Sequence, residues 1–248
     1  MAHDAESRRR SGVIPISDDN PVEHTPFVTW AIMLACVAAY VWEYSLGEKG
    51  MEGALYLLGF IPKTLFNAEL APSTMIGVPA PATIFTSMFL HGGLLHLGGN
   101  MLYLWIFGNN IEEAMGHARF TLFYFACGAA AALAMAFVDP ASSVPMVGAS
   151  GAISGVLAAY MLLYPRARVH VVIPLGIIFY PLWVRAAWVV GIWFAMQLAS
   201  AAITDPGKPG TAFWAHIGGF GAGLVLTPAL KLRGVRYFGP DLPRGPWG

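Results

Sequence analysis

The stretch "MVGASGAISG", Met146 to Gly155, opens a long apolar segment with a serine among very small residues. An apolar run ending in "FVDP" precedes it, and one beginning "VLAAYMLLYP" follows it. Small residues allow two helices to pack closely inside a membrane. They would also leave space for another molecule to reach Ser150. The rest of the chain decides between these two interpretations.

The composition indicates an integral membrane protein. The 248 residues are 56% hydrophobic and only 11% charged, whereas soluble domains carry about 25% charged residues. Several apolar runs are long enough for helices that span a bilayer. Because the formal net charge is +0, there is no electrostatic basis for a nucleic-acid partner. Cys36 and Cys127 lie far apart in apolar segments, so we expect buried hydrophobic side chains rather than a disulfide.

Three regions are predicted: a polar cytoplasmic segment at 1–26, a membrane domain at 27–232 and a short cytoplasmic tail at 233–248. The first region holds "SRRR" and no hydrophobic core before a cleavage site, so we expect no removable signal peptide. The predicted fold class is an all-α bundle of six transmembrane helices. Their ranges are 27–46, 95–115, 119–138, 150–164, 183–203 and 212–231. No internal repeat supports an inverted-repeat transporter.

The basic residues predict that both termini are cytoplasmic. With the N-terminus inside, only Lys49, Lys63 and Lys208 of the 14 basic side chains lie outside. The second, fourth and sixth helices then all run from outside to inside. Their N-terminal ends carry polar residues, namely His96, Asn100, Ser150 and His216. We therefore expect these side chains to meet at one depth in the outer leaflet.

The fourth predicted helix is short. Ser150 to Tyr164 would form a helix of about 22 Å at ~1.5 Å per residue, against a hydrocarbon core of roughly 30 Å. Ser150 therefore lies below the outer surface. Backbone at that depth is tolerated only inside protein or beside a water-filled cavity. We expect the connection "DPASSVPMVGA" to dip inward and water to reach it.

Ser150 and His216 are the candidate catalytic pair. A hydroxyl is a weak nucleophile until a neighbouring base takes its proton, and His216 lies at the matching end of the sixth helix. Gly219 and Gly223 would let that helix approach the equally small fourth helix. Ordinary packing is the alternative for Ser150, and a bond to a backbone carbonyl is the alternative for His216. Asp139 and Asp205 fall in loops, so we expect a dyad without a third carboxylate.

A second group surrounds the serine. His96 and Asn100 are four residues apart, so both project from one helical face. Together with the backbone at Ser150 they could stabilise a developing oxyanion. We assign His96, Asn100, Gly148 and Gly151 to oxyanion and substrate binding, and expect a structural role for His91.

Metal binding is the rival interpretation of the histidines. The spacing in "HGGLLHLGGN" is poor for zinc, no HExxH occurs and the segment holds no acidic residue. Two helix histidines could hold a haem on spacing alone. We expect no metal and no cofactor.

Four motifs together resemble the rhomboid family of intramembrane serine proteases. "GASG" matches the family's GxSG motif at Ser150, and "HIGGFGAG" matches HxxGxxxG at His216. "HGGLLHLGGN" matches HxxxxHxxxN, and "GNNIEEAMG" matches GxxxExxxG at Glu112. The resemblance runs from about residue 27 to 232. There are departures: Ala82-Thr83 replaces a common Trp-Arg, and Ser154 replaces an aromatic that packs on the histidine.

The resemblance implies a rhomboid bundle with a short central fourth helix and a long interfacial first loop, residues 47–94. It implies a serine endopeptidase that cleaves single-span membrane proteins within the bilayer. The substrate would enter sideways, past the second and fifth helices. The resemblance also implies a structural role for Glu112. Since Ser154 cannot replace the aromatic, other contacts must hold His216. A non-catalytic rhomboid-like protein that escorts transmembrane clients is the alternative function. We expect a multi-pass protein of a bacterial inner membrane.

Overall fold

The computed structural model describes residues 14–66, 78–175, 178–205 and 210–239. The arginines of "SRRR", Lys208, Arg244 and residues 67–77 of the first loop lie outside the described residues. The described chain is mostly helical. Its elements are β1 (Ile14–Asp18), α1 (Phe27–Ser45), α2 (Gly47–Leu58), α3 (Pro62–Phe66), α4 (Ala80–Thr86), α5 (Leu94–Met115), α6 (His117–Val138), α7 (Ser150–Leu163), β2 (Arg168–Leu175), β3 (Ile178–Arg185), α8 (Ala186–Ile203) and α9 (Phe213–Leu230).

Helices occupy each of the six ranges predicted from apolar patterning, as α1, α5, α6, α7, α8 and α9. Among the described residues, α1, α6, α8 and α9 are long and apolar enough to cross a membrane, judged by length and composition. The helix α7 has only 14 residues, because Pro165 follows Tyr164 and stops the helix. The helix α7 is therefore the shortest of the six helices that occupy the predicted ranges.

The short helix α7 lies at the centre of the molecule. It contacts α5, α6, α8 and α9, and every residue from Gly151 to Tyr160 is buried. Its one polar side chain in that range before Tyr160 is Ser154, whose Oγ donates a 2.7 Å hydrogen bond to the Ser150 carbonyl. That bond satisfies the hydroxyl within the helix itself, so α7 can be buried on all sides.

Glycine pairs bring α7 and α9 into backbone contact. A Cβ added at Gly219 would lie 1.9 Å from the Gly151 carbonyl oxygen, and one at Gly223 would lie 2.4 Å from the Gly155 carbonyl oxygen. No other residue type fits at such a separation. The two helices therefore pack with their backbones touching, along the face that also carries His216.

Glu112 joins the end of α5 to the start of α1. Its carboxylate accepts hydrogen bonds from the backbone N–H groups of Val28 at 2.8 Å and Thr29 at 2.7 Å, which are N–H groups without an acceptor inside α1. His117 Nδ1 lies 2.6 Å from the same carboxylate. The chain turns immediately afterwards at Gly116, whose φ of 76° favours glycine. The GxxxExxxG motif thus ties three helices together at this end.

The chain is mostly helical, as expected, but it is not all-α, because β1, β2 and β3 form a three-stranded antiparallel sheet. The helix predicted to begin at residue 183 begins at Ala186, since Trp183 to Arg185 pair with β2. The segment "RVHVV" alternates, with Val169 and Val171 fully buried. Such period-two alternation is typical of a strand with one buried face. Of the sheet, only residues 183–185 were included in the predicted helix, because they extend the apolar run that follows them.

The strand β1 attaches the N-terminal segment to the helices. Tyr160 of α7 donates a 2.5 Å hydrogen bond from its hydroxyl to Asp18 Oδ2, and Asn110 Nδ2 of α5 donates a second at 3.1 Å. Burial raises the pKa of Asp18 from its usual 3.8 to about 6, against the lowering effect of the Tyr160 hydrogen bond. The division of the chain at residue 26 stays a prediction, and the described part of the segment packs on the helical part.

The first loop holds the connection that precedes α7. An antiparallel bridge pairs Phe60 with Met146 through hydrogen bonds of 3.0 and 2.7 Å. Gly148 donates its backbone N–H to the Ser87 carbonyl at 2.9 Å. Phe60 is fully buried. Residues far apart in sequence therefore fix the position at which α7 begins.

The glycine contact yields a first test. Gly219→Ala places a methyl group where the Gly151 carbonyl stands, so we expect α9 to be pushed away and the free energy of unfolding to fall by about 1–3 kcal/mol. Gly221→Ala is the matched control, since a Cβ there meets nothing within 4 Å. The readout is the thermal unfolding midpoint in detergent. Equal midpoints for the two variants would show that the helices do not pack through this contact.

The Glu112 carboxylate yields a second test. Glu112→Ala leaves the half-buried N–H of Val28 and the buried N–H of Thr29 without an acceptor, so we expect the free energy of unfolding to fall by roughly 1–3 kcal/mol. Glu113→Ala is the control, because that side chain is 23% exposed and its hydrogen bond from the Glu23 N–H lies at the surface. Thermal unfolding of the two purified variants is compared. A larger loss for Glu113→Ala than for Glu112→Ala would contradict the role given to Glu112.

The raised pKa of Asp18 yields a pH dependence. The folded chain holds the proton of this carboxyl between about pH 4 and 6, where the unfolded chain releases it, so its contribution to stability falls as pH rises through that window. Asp18→Asn removes the charge and keeps an acceptor for Tyr160. We expect the thermal unfolding midpoint of this variant, relative to that of the wild type, to rise as the pH increases from 4 to 7. A difference that does not change with pH would refute this.

Candidate active site

Ser150 and His216 meet at the ends of two helices. Ser150 is the first residue of α7, and His216 lies in the first turn of α9. The Oγ of Ser150 is 2.8 Å from Nε2 of His216. The histidine is 8% exposed. The backbone contact of Gly219 with Gly151, one turn further along α9, accounts for this close approach.

The pair has the geometry for nucleophilic chemistry. A serine hydroxyl within hydrogen-bond reach of an imidazole nitrogen can lose its proton to that nitrogen as it attacks. The first N–H groups of α7, starting at Ser150 and Gly151, have no acceptor inside the helix. They concentrate positive potential at the position where an oxyanion would form.

His96 and Asn100 lie around Gly148, two residues before the serine. A Cβ at Gly148 would come within 2.7 Å of the His96 ring and 3.7 Å of Asn100 Nδ2. Gly148 also has a φ of 115°, so glycine suits this position for two reasons. Asn100 Nδ2 donates one hydrogen bond to the His96 carbonyl at 3.0 Å. An amide carries two hydrogens, so one N–H remains for another acceptor.

A cavity of about 580 Å³ opens onto Ser150, His216 and His96, whereas Asn100 is not part of its lining. Its lining includes His96, Gly148, Ser150 and His216, together with the connection before α7 and the first turn of α9. Most of the remaining lining is apolar, such as Met88, Leu95 and Val147. A cavity of this size and character suits an apolar ligand that presents a few polar groups to the serine.

His91 lies outside this cavity lining and is fully buried. Its backbone N–H faces the Glu43 carboxylate of α1 at 3.3 Å, and its ring packs on His96 at a centroid distance of 5.2 Å. The loop before α5 is thereby attached to α1. These contacts agree with the structural role expected for His91.

Two residues of α8 contact the histidine, and neither was identified from sequence. Gln197 Oε1 lies 2.8 Å from His216 Nδ1, and the Trp193 ring packs on the imidazole at 5.8 Å. These two contacts hold the His216 ring, which Ser154 does not pack against as an aromatic side chain would. A single amide in the apolar run "IWFAMQLASAAI" was the available signal, since polar side chains inside a membrane helix are functional candidates.

The haem alternative conflicts with the partners of His216. Both ring nitrogens of this residue are engaged, one with Ser150 and one with Gln197, so neither faces open space for an iron ion. Within the described residues, no group of three or more His, Cys, Asp or Glu side chains is placed to hold a metal. Cys36 and Cys127 are both buried free thiols.

Comparison with known proteins identifies the family. Residues 80–233 match the model of the Rhomboid domain. The curated relatives include the Rhomboid protease GlpG of Salmonella paratyphi A and that of Salmonella typhi, each 27% identical over 204 residues. The match covers 81% of this chain and 62% of each relative. The chain therefore spans less than two thirds of the length of the curated relatives it matches.

Proposed function

Because this chain belongs to the rhomboid family, we propose that it is an intramembrane serine endopeptidase with Ser150 and His216 as its catalytic dyad. The observation that carries the proposal is the 2.8 Å contact between Ser150 Oγ and His216 Nε2 at a cavity of about 580 Å³. The similarity to curated rhomboid proteases supports the same reaction class. An escort protein without catalysis would not require a serine and a histidine at this distance.

In the proposed reaction, Ser150 Oγ attacks the carbonyl carbon of a peptide bond while His216 Nε2 takes its proton. The tetrahedral intermediate collapses as the C–N bond breaks, and the imidazolium returns the proton to the leaving amine. Water then attacks the acyl-enzyme with His216 again as the base. Hydrolysis releases the new carboxylate and restores the serine hydroxyl.

The oxyanion is stabilised in this proposal by donors already placed beside the serine. The backbone N–H groups of Ser150 and Gly151 open α7, and the second amide hydrogen of Asn100 is not used by the His96 carbonyl. His96 lines the same cavity and supplies a ring N–H. Preorganised donors of this kind contribute most where water is excluded.

The proposed setting is a bilayer that six helices cross, with α5, α7 and α9 starting in the outer leaflet and both termini in the cytoplasm. The short α7 then keeps Ser150 below the membrane surface. The assignments of residues 1–26, 27–232 and 233–248 as N-terminal segment, membrane domain and tail belong to this proposal. A bacterial inner membrane is proposed because the curated relatives are bacterial.

The proposed substrates are single-span membrane proteins that reach the cavity from the lipid. The cavity is largely apolar and includes Ser150 and His216 in its lining, which suits a transmembrane segment presenting one scissile bond. The lateral route past α5 and α8 and a lid formed by the first loop are part of the same proposal.

The test is cleavage of a single-span substrate in proteoliposomes. We expect Ser150→Ala and His216→Ala each to abolish cleavage, because one removes the nucleophile and the other its base. Loss should reach about 10⁴-fold or more, as in other serine–histidine hydrolases. Product fragments are measured by gel and mass spectrometry.

Ser143→Ala is the control, since this exposed serine lies in the connection before α7 and away from the cavity lining. It should retain wild-type cleavage. Cleavage that survives Ser150→Ala in a folded protein would overturn the proposal. Absence of cleavage by the wild type with retained client binding would favour the escort function.

A further inference from the structure

Gln197 is a buried amide on a helix that is otherwise apolar at its core-facing positions. The other buried residues of α8 are Ala186, Val190 and Ala201, and Gln197 itself is 8% exposed. A buried amide costs free energy unless it is hydrogen-bonded. Its Oε1 lies 2.8 Å from His216 Nδ1, and its Nε2 donates a long 3.5 Å bond to the Trp193 carbonyl. The Trp193 carbonyl can only accept, so it orients Nε2 towards itself and Oε1 towards His216.

The amide oxygen selects one tautomer of His216. A carbonyl oxygen can only accept, so the proton of the neutral ring must be on Nδ1. The lone pair is then on Nε2, the nitrogen 2.8 Å from Ser150 Oγ. In the other tautomer Nε2 would carry the proton, and the ring could not accept the proton of the serine.

We propose that Gln197 is a positioning residue for His216 that holds the imidazole in the tautomer able to accept the serine proton. The proposal rests on the proposed function of the Ser150–His216 dyad. Gln197 acts here as the third member of the site, from α8, without a charge. It takes the place that a carboxylate occupies where a histidine base has an ionised partner.

Gln197 acts through the histidine and not on the substrate. It does not line the cavity that exposes Ser150 and His216. Trp193, one turn earlier on α8, packs on the same ring, so a single helix supplies both the hydrogen bond and the apolar contact. The other titratable side chain lining the cavity is His96 of α5. A change at Gln197 should therefore alter turnover and leave substrate binding unchanged.

The experiment compares Gln197→Met, Gln197→Glu and the control Ser200→Ala, which removes a hydroxyl one turn further along α8. Each full-length protein is reconstituted with a single-span substrate, and kcat and KM are measured from pH 5 to 9. In parallel, the ¹⁵N chemical shifts of labelled histidine identify the tautomer of His216, with His216→Ala used for assignment. The spectra do not require cleavage.

For Gln197→Met we expect kcat to fall about 10- to 100-fold with KM unchanged, within the ~10²–10⁴-fold that general acid–base catalysis contributes. Part of the His216 population should move to the tautomer protonated at Nε2. Gln197→Glu keeps the acceptor, so it should preserve the tautomer protonated at Nδ1. Its carboxylate should favour the imidazolium and move the acidic limb of the rate profile to higher pH. Ser200→Ala should behave as the wild type.

Wild-type kcat and tautomer in folded Gln197→Met would overturn the proposal, as would a wild-type His216 protonated at Nε2. The fall in kcat for Gln197→Met could also be matched by an equal loss of folded protein, with no shift in the pH–rate profile of Gln197→Glu. That result would show that Gln197 serves packing alone, and it would overturn the proposal as well. If the wild type does not cleave at all, the proposed function fails, and the ¹⁵N spectra still decide the role of Gln197.

Discussion

The structure depends on the backbone contact between α7 and α9. Gly219 and Gly223 touch the carbonyl groups of Gly151 and Gly155 so closely that a single methyl group at Gly219 has no space. In a bilayer the hydrophobic effect does not drive helices together. Close packing of small residues does so instead. The contact also sets the chemistry. His216 precedes Gly219 by one turn and Ser150 precedes Gly151 by one residue, so touching backbones bring the two side chains to 2.8 Å.

The surrounding elements keep this pair in position from both ends of α7. At the serine end, the first loop holds the preceding connection through Phe60 and Met146, and Ser87 holds Gly148. At the other end, Tyr160 is bonded to Asp18 of β1. Because α7 is buried on every side, a displacement at either end would have to move its neighbours as well. The helix α7 therefore holds the serine in a fixed position, and contacts from α8 orient the His216 ring.

Much of the fold could be predicted because it follows from local patterns. Apolar runs located the helices, and the alternating direction of the spans brought Ser150, His216 and His96 to one end. The sheet was not predicted. Residues 165–182 carried no predicted element, although "RVHVV" alternates as a strand does, and the pairing strand β1 lies far away in the sequence. Residues 183–185 were included in the following apolar helix. Gln197 was missed for a related reason. Its partner lies 19 residues away on α9. The rotation of α8 about its own axis decides whether the amide faces His216 or lipid, and residue spacing does not reveal that rotation.

In the proposed mechanism, Ser150 is a nucleophile that His216 activates. The most direct test is reaction of the purified, reconstituted protein with a fluorophosphonate, followed by mass spectrometric mapping of the adduct. An activated serine reacts with this reagent, whereas an ordinary helix serine does not. We expect one adduct, on Ser150, that is lost in His216→Ala while Ser143 stays unmodified. An unmodified Ser150 in the folded wild type, or equal modification in His216→Ala, would contradict it.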